Sequence, residues 1–159
     1  RSGDDAGGWS AASAVEKRRG WNPVSGAGNG VCAGGGLHLV ADAAIVIAAE
    51  NASFVDPHVS VGQAVAYEAI TLLRKSPMEA ILRMALSGRN ERISAQRAYE
   101  LGIISEVVPG DTLRAAATAL APAVAANSPV ATPATKTALR RPLALRRITA
   151  GAQPAAQTH

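Results

Sequence analysis

Cysteine and aromatic side chains are scarce in this chain of 159 residues. It contains one cysteine, Cys32, and Phe, Trp and Tyr together make up 3% of its residues. A single thiol excludes an intramolecular disulfide framework and favours a reducing compartment. No apolar run approaches the ~20 residues that a membrane-spanning helix needs, and no secretory signal pattern is present. We therefore expect a cytoplasmic protein with an aliphatic core and no membrane partner.

Acidic residues are missing from the C-terminal part of the chain. Residues 112–159 contain six Lys and Arg and no Asp or Glu, whereas residues 1–111 contain ten basic and twelve acidic residues. Such a basic segment can contact phosphate groups, bind nucleic acid, or form the solvated end of a helix. Because no aromatic residues are interleaved with the basic ones, we expect no nucleic-acid partner. An RNA-binding module remains an alternative.

Glycine, by contrast, is concentrated in one stretch. Ser25 to His38 reads SGAGNGVCAGGGLH and holds six glycines in fourteen residues. Glycine inside a helix costs roughly 1 kcal/mol per residue relative to alanine, so this density indicates a place where bare backbone approaches a ligand. Backbone N–H groups at a helix start bind anions readily.

Two nucleotide-binding motifs compete for this stretch. A P-loop requires a lysine after the glycines, and none is present, so we reject it. A dinucleotide fingerprint fits Gly28-x-Gly30-x-x-Ala33, with Glu50 at the distance of a ribose-binding acid. The later glycines at 34, 35 and 36 would then weaken the crossover helix, so an NAD-binding Rossmann-like domain is kept only as an alternative.

The remaining pattern predicts a mixed α/β chain that becomes mostly helical after Gly62. Strands are predicted at 24–27, 44–49, 53–55 and 104–108, and helices from about 35, at 64–74, 77–86 and 94–101, and from an Asp111 cap to about 126. The helix after the glycines should carry Leu37, Leu39, Val40 and Ala43 inward. Prolines interrupt the sequence beyond 126, and we expect a frayed tail beyond 150.

Several motifs, in order along the chain, resemble the crotonase (enoyl-CoA hydratase/isomerase) superfamily. They are Asn29-Gly30, Gly34-Gly35-Gly36, Phe54-x-x-Pro57-x-x-x-x-Gly62, Ser87-Gly88, Arg92-Ile93-Ser94-Ala95 and Leu101-Gly102 through Val108. The resemblance covers residues 22–140. It implies a partial ββα spiral with C-terminal helices, divided into a crotonase-like core at 1–126, without the family's N-terminal strands, and a Pro/Arg-containing helix and tail at 127–159. Since the chain begins at Arg1 without a methionine, we expect its start to be missing.

What the resemblance implies about function is chemistry on acyl-CoA thioesters through an enolate. Coenzyme A would be part of the substrate, with no separate cofactor and no metal. Two backbone N–H groups would form an oxyanion hole, one at Gly35 and the other at Ser2 in the turn Ser2-Gly3-Asp4-Asp5. Gly34 and Gly36 would contact substrate. If the full chain is present, the likeness also implies a homo-oligomer built from trimers.

The chain departs from the family at its two catalytic positions. Where the family's hydratases have glutamates, this chain has His38 and His58, which we predict to be the acid/base pair. Neutral imidazole accepts a proton near neutral pH and imidazolium donates one, so the chemistry remains possible. The alternative is a non-catalytic acyl-CoA-binding or structural subunit in which both histidines are merely packed.

Further departures affect the acyl pocket and the tail. Tyr67 and Glu68 stand where the family usually has a glycine-rich loop, so Tyr67 is predicted to contact substrate. Glu68 is expected to be a solvated helix residue, with a displaced acid as the alternative. Arg140 is predicted to bind the nucleotide phosphates of coenzyme A, against the simpler reading of the basic residues as a solvated helix end.

Overall fold

A computed structural model describes residues 22–65 and 67–150 of the chain, with side chains described up to residue 140. The first part alternates strands and helices. It contains β1 (Ser25–Gly28), β2 (Val31–Ala33), α1 (Gly36–Asp42), β3 (Ile45–Ala49), β4 (Ser53–Val55), a 3-10 helix (His58–Val61) and α2 (Glu68–Leu72). The chain therefore alternates two short strands with one helix.

The second part is mostly helical, as predicted. It contains α3 (Met78–Ser87), a second 3-10 helix (Gly88–Asn90), β5 (Ile93–Ser94), α4 (Ala95–Glu100), β6 (Glu106–Val108), α5 (Leu113–Ala125) and α6 (Ala131–Ala150). Ser94 caps α4 by accepting a hydrogen bond from the Arg97 N–H. No helix in residues 22–65 or 67–150 is long and apolar enough to cross a membrane.

The strands form two sheets, and each strand pair of the first part contributes one strand to each sheet. The first sheet has the order β1-β3-β6 and is parallel throughout. The second has the order β2-β4-β5, with β2 and β4 parallel and β5 antiparallel to β4. Because β1 and β2 run side by side with β3 and β4, the glycine turn after β2 lies next to the segment after β4.

The core is aliphatic, apart from one phenylalanine. The largest fully buried apolar side chains are Phe54, Leu37, Ile47, Leu72 and Met84. They come from both sheets and from the helices α1, α2 and α3, so the core fixes α1 and α2 against each other. This packing places the N-terminal half of α1 beside the start of α2.

Several sequence predictions need correction. Leu39 does not point inward but is 60% exposed, because the buried face of α1 is formed by Leu37, Val40 and Ala41. The helix predicted at 64–74 is shorter and begins at Glu68. Asp111 is not the cap of α5, whose N-cap residue is Thr112.

The dinucleotide alternative is also excluded by the local structure. Residues 31–33 of the proposed fingerprint form strand β2, and the helix begins only at Gly36. A dinucleotide fingerprint requires its second glycine and the following residues to open the crossover helix. The strand in that place removes the site for a pyrophosphate.

The basic C-terminal segment forms one helix, although its prolines predicted an interrupted structure. Helix α6 runs continuously from Ala131 to Ala150 and contains Pro133 and Pro142. Pro133 lies in the first turn, where a missing N–H costs no hydrogen bond. The tail predicted to fray beyond 150 lies outside the described residues.

Candidate active site

The glycine turn leaves an open space at the start of α1. Gly34 has a φ of +46°, a left-handed conformation in which glycine is favoured, and its N–H donates to Val55 O at 3.3 Å. No described backbone carbonyl accepts a hydrogen bond from the Gly35 N–H, and a Cβ built on Gly35 would meet no atom within 4 Å. The backbone at Gly35 is therefore accessible to a ligand.

His58 lies on the other side of this turn, at the start of the 3-10 helix. A Cβ on Gly34 would lie 3.9 Å from His58 Cε1, so the ring borders the glycine turn directly. Asp56, whose side chain is fully buried, accepts hydrogen bonds from the His58 N–H at 3.2 Å and from the ring Nδ1 at 2.5 Å. These two bonds fix the ring orientation and leave Nε2 as the nitrogen available for proton transfer.

Glu68 brings His38 and His58 together. Its Oε1 atom lies 2.9 Å from His38 Nε2 and 3.8 Å from His58 Nε2. The Glu68 side chain is 10% exposed, and the two imidazoles are 16% and 22% exposed. The expectation of a solvated Glu68 was therefore wrong, because α2 begins at this residue and turns its first side chain toward α1.

The Tyr67 ring packs against the imidazole of His38. The two ring centroids are 4.8 Å apart, with an interplanar angle of 32°. This contact restricts the rotation of the imidazole, so Tyr67 serves at least to orient His38. Its predicted contact with substrate stays a prediction.

Sequence reasoning missed the role of Asp56. The signal was present, because an Asp two residues before His58 can accept a hydrogen bond from the backbone N–H of that residue in a local turn.

The contacts together form a continuous line of groups, Asp56, His58, Glu68 and His38, in which carboxylates and imidazoles alternate. We call these four residues the acid–base line.

Gly36, at the start of α1, packs closely against Cys32 of β2. A Cβ on Gly36 would lie 3.1 Å from Cys32 Sγ, so a larger residue here would require the thiol side chain to shift by a few tenths of an ångström. Burial raises the pKa of the Cys32 thiol to about 11. The thiol therefore remains protonated near neutral pH and does not supply a nucleophile.

Arg140 lies at the opposite end of α1 from the glycine turn. Its Nη2 donates to Asp42 O at 2.6 Å, and Lys75 Nζ donates to Val40 O at 2.6 Å and Ala43 O at 2.9 Å. Both cations line a groove of about 580 Å³ between the end of α1 and helix α6. Arg140 is thus engaged with the carbonyls of a helix end, and its predicted contact with phosphate stays a prediction.

Two predictions remain to be compared with the structure, the oxyanion donor Ser2 and metal binding. Ser2, the second predicted oxyanion donor, lies outside the described residues. Within residues 22–65 and 67–140, no group of three or more His, Cys, Asp and Glu side chains is arranged to hold a metal ion. Separately, the imidazoles and carboxylates of the acid–base line are groups that can accept and donate protons.

Comparison with known proteins identifies relatives with this arrangement of strands and helices. The sequence model described as enoyl-CoA hydratase/isomerase matches residues 8–158. The crystal structure of an enoyl-CoA hydratase/isomerase from Mycobacterium paratuberculosis superposes with a TM-score of 0.75 at 44% identity, covering 84% of this chain and 54% of that one. The predicted crotonase-like ββα fold is therefore confirmed.

Curated relatives agree with this result. The mevalonyl-coenzyme A hydratase of Aspergillus fumigatus is 40% identical over 116 residues, which are 72% of this chain and 42% of that protein. The 2,3-dehydroadipyl-CoA hydratase of Escherichia coli is 37% identical over 120 residues, or 75% of this chain and 46% of that protein. The chain spans less than half the length of these two relatives. From the family match and the shared fold, it belongs to the enoyl-CoA hydratase/isomerase family.

Proposed function

We propose that the protein acts on acyl-CoA thioesters through an enolate, with His38 and His58 as the groups that move protons. The observation that carries the proposal is the convergence of these two rings on Glu68, beside the accessible backbone of Gly35. The two histidines come from different units of the fold, α1 and the segment after β4. The names of the relatives, which are hydratases of acyl-CoA substrates, support the same substrate class.

The roles follow from the contacts of each group. His58, held through Nδ1 by Asp56, presents Nε2 as a base that takes a proton from water. His38, with Nε2 directed at Glu68, supplies a proton to the α-carbon. The Gly35 N–H would stabilise the negative charge on the thioester oxygen, a contribution worth several kcal/mol in the transition state when the donor is already in place.

The test is a turnover assay on a panel of enoyl-CoA and 3-oxoacyl-CoA thioesters, with hydration and hydrolysis followed separately. We expect turnover of at least one thioester, and a loss of about 10² or more in kcat in His38→Ala and in His58→Ala. His159→Ala provides the matched control, because it removes the chain's third histidine. Equal rates for all four proteins would contradict the assignment.

A non-catalytic acyl-CoA-binding subunit is the second candidate. The observation in its favour is that His38 is already engaged by the Glu68 carboxylate on one side and by the Tyr67 ring on another. This candidate predicts tight binding of the same thioesters, measured by calorimetry, without consumption of any of them.

We also propose a homo-oligomer, as the resemblance implied. It is supported by three apolar side chains spaced four residues apart on α3, Met78, Leu82 and Leu86, which are 61%, 45% and 72% exposed. Such a stripe is typical of a helix face that packs against a partner. Light scattering coupled to size exclusion would give the mass, which we expect to be a multiple of the trimer.

A further inference from the structure

Glu68 contacts both histidines through a single oxygen atom. Oε1 is 2.9 Å from His38 Nε2, within hydrogen-bond distance, and 3.8 Å from His58 Nε2, about 0.6 Å beyond the usual limit. The carboxylate is almost fully buried, and it is the first residue of α2. A small rotation of its side chain would transfer the hydrogen bond from one ring to the other.

Two imidazoles that act as acid and base must have their protonation states restored after each turnover, as two glutamates must. When the base has taken a proton from water and the acid has given one to carbon, the protonation states of the two rings are exchanged. The next turnover requires that one proton move from His58 back to His38. Both rings are less than a quarter exposed, so exchange with solvent is restricted on both sides.

We propose that Glu68 carries this proton between the two imidazoles and so resets the pair after each turnover. In the first transfer the Nε2–H bond of His58 breaks and an O–H bond forms on Glu68 Oε1. In the second transfer that O–H bond breaks and an Nε2–H bond forms on His38. The net change is one proton moved from His58 to His38, with no oxidation or reduction and no other reactant.

The neighbouring residues support a transfer along this line. Asp56 occupies Nδ1 of His58, so only Nε2 of that ring faces Glu68. Tyr67, which precedes Glu68 in the chain, packs on the His38 ring and holds its Nε2 toward the carboxylate. Glu68 acts through the two rings and is therefore a positioning and proton-carrying residue, while the contact with substrate belongs to the histidines.

The inference rests on the proposed function and is tested first by kinetics on the panel thioester with the highest turnover. Glu68→Gln keeps the shape and the hydrogen bonds of the side chain but cannot carry a proton as a carboxyl group does. We expect kcat to fall about tenfold or more, with KM changed less than about twofold. Glu79→Gln, on the exposed first turn of α3, is the matched control and should leave both constants unchanged.

Chemical rescue distinguishes proton transfer from a structural role. Glu68→Ala leaves space for a small carboxylate, so added formate should restore a substantial part of its kcat, whereas Glu68→Gln should not respond. Unchanged kcat in Glu68→Gln, or the absence of rescue in a folded Glu68→Ala protein, would overturn the proposal.

An NMR measurement that needs no turnover distinguishes the failure of this proposal from the failure of the proposed function. In uniformly 15N-labelled protein, the Nε2 nitrogens of His38 and His58 should both show shifts between the protonated and unprotonated limits, because one proton is shared among them. In Glu68→Gln both should move toward one limit, while His159 stays unchanged. If no thioester is consumed, the proposed function fails. If the 15N shift of His58 is the same in Glu68→Gln as in the original protein, proton transfer through Glu68 is overturned, whatever the kinetic result.

Discussion

The two ends of helix α1 differ in what satisfies their backbone groups. A helix leaves four N–H groups unpaired at its start and four carbonyls at its end. At the start, Gly35 makes no side-chain capping bond, and open space adjoins its backbone. At the end, Lys75 and Arg140 donate to the carbonyls of Val40, Asp42 and Ala43. One end is kept available for a ligand, and the other is closed by charged side chains.

This difference separates function from stability within seven residues. Loss of a contact at the closed end should lower the free energy of unfolding without affecting chemistry. Loss of the N–H at the open end should affect chemistry without affecting the fold. The separation can be tested from both ends with single substitutions, because each end offers a matched control.

The largest effect is expected at the open end. Gly35→Pro removes the N–H proposed to stabilise the enolate, and a φ of −53° is compatible with proline. We expect kcat to fall about 10²–10³-fold. Gly35→Ala keeps the N–H but adds a methyl group to the space proposed for the ligand, so its kcat should fall much less than that of Gly35→Pro. Equal loss in both variants, with circular dichroism unchanged, would show that the N–H has no role.

The next effect is expected at the closed end. Lys75→Met removes two hydrogen bonds to the last carbonyls of α1, and we expect the free energy of unfolding to fall by about 1–3 kcal/mol. Turnover should be unchanged. Arg83→Met, which removes a cation that is 73% exposed and paired with Glu91, should cost less than about 1 kcal/mol. Urea denaturation measures both values.

A smaller effect concerns the pH dependence of stability. Burial lowers the pKa of Lys75 from 10.5 to about 8, with the Arg140 charge adding to the lowering and Asp42 opposing it. Between these two values the folded protein binds fewer protons than the unfolded chain, so the free energy of unfolding should rise as the pH rises from about 8 to about 10.5. Lys75→Met should lack this rise. A rise of the same size in the variant would assign it to another group.

The smallest effect is expected at Cys32, which packs against Gly36 at the start of α1. Because burial raises the pKa of this thiol to about 11, alkylation by iodoacetamide at neutral pH should be slower than for a free thiol. Mass spectrometry follows the modification of the only cysteine directly. Rapid labelling of the folded protein would show that the packing around this thiol opens frequently.

Much of the fold was predictable because its signals are local. The strand predicted from the apolar run at 44–49, the strand at 53–55 and the Ser94 cap each depend on neighbouring residues, and each is present, the first as Ile45–Ala49. The start of α2 was not predictable in the same way. The apolar spacing at 64–74 fits a longer helix, and only tertiary packing on α1 decides that the helix begins at Glu68.

The candidate site shows the same limit. His38 and His58 could be singled out because the family motif fixes their positions in the sequence. Glu68 could not be placed, since its burial depends on the contact between α1 and α2, which no local pattern encodes. Arg140 was predicted from charge alone, and charge does not reveal that the carbonyls of α1 lie within its reach.

The central position of β3 has a consequence for synthesis of the chain. Ser105, next to β6, donates to Val46 O across 59 positions, so the second edge of this apolar strand has no partner until β6 has emerged from the ribosome. At bacterial or eukaryotic elongation rates that interval is roughly 3–12 s. All four residues of the acid–base line have been synthesised once Glu68 is added, while the hydrophobic strand edge stays open to other chains until β6 follows. We expect the nascent chain to depend on a chaperone in this interval, and its yield to fall when elongation between Glu68 and Val108 is slowed.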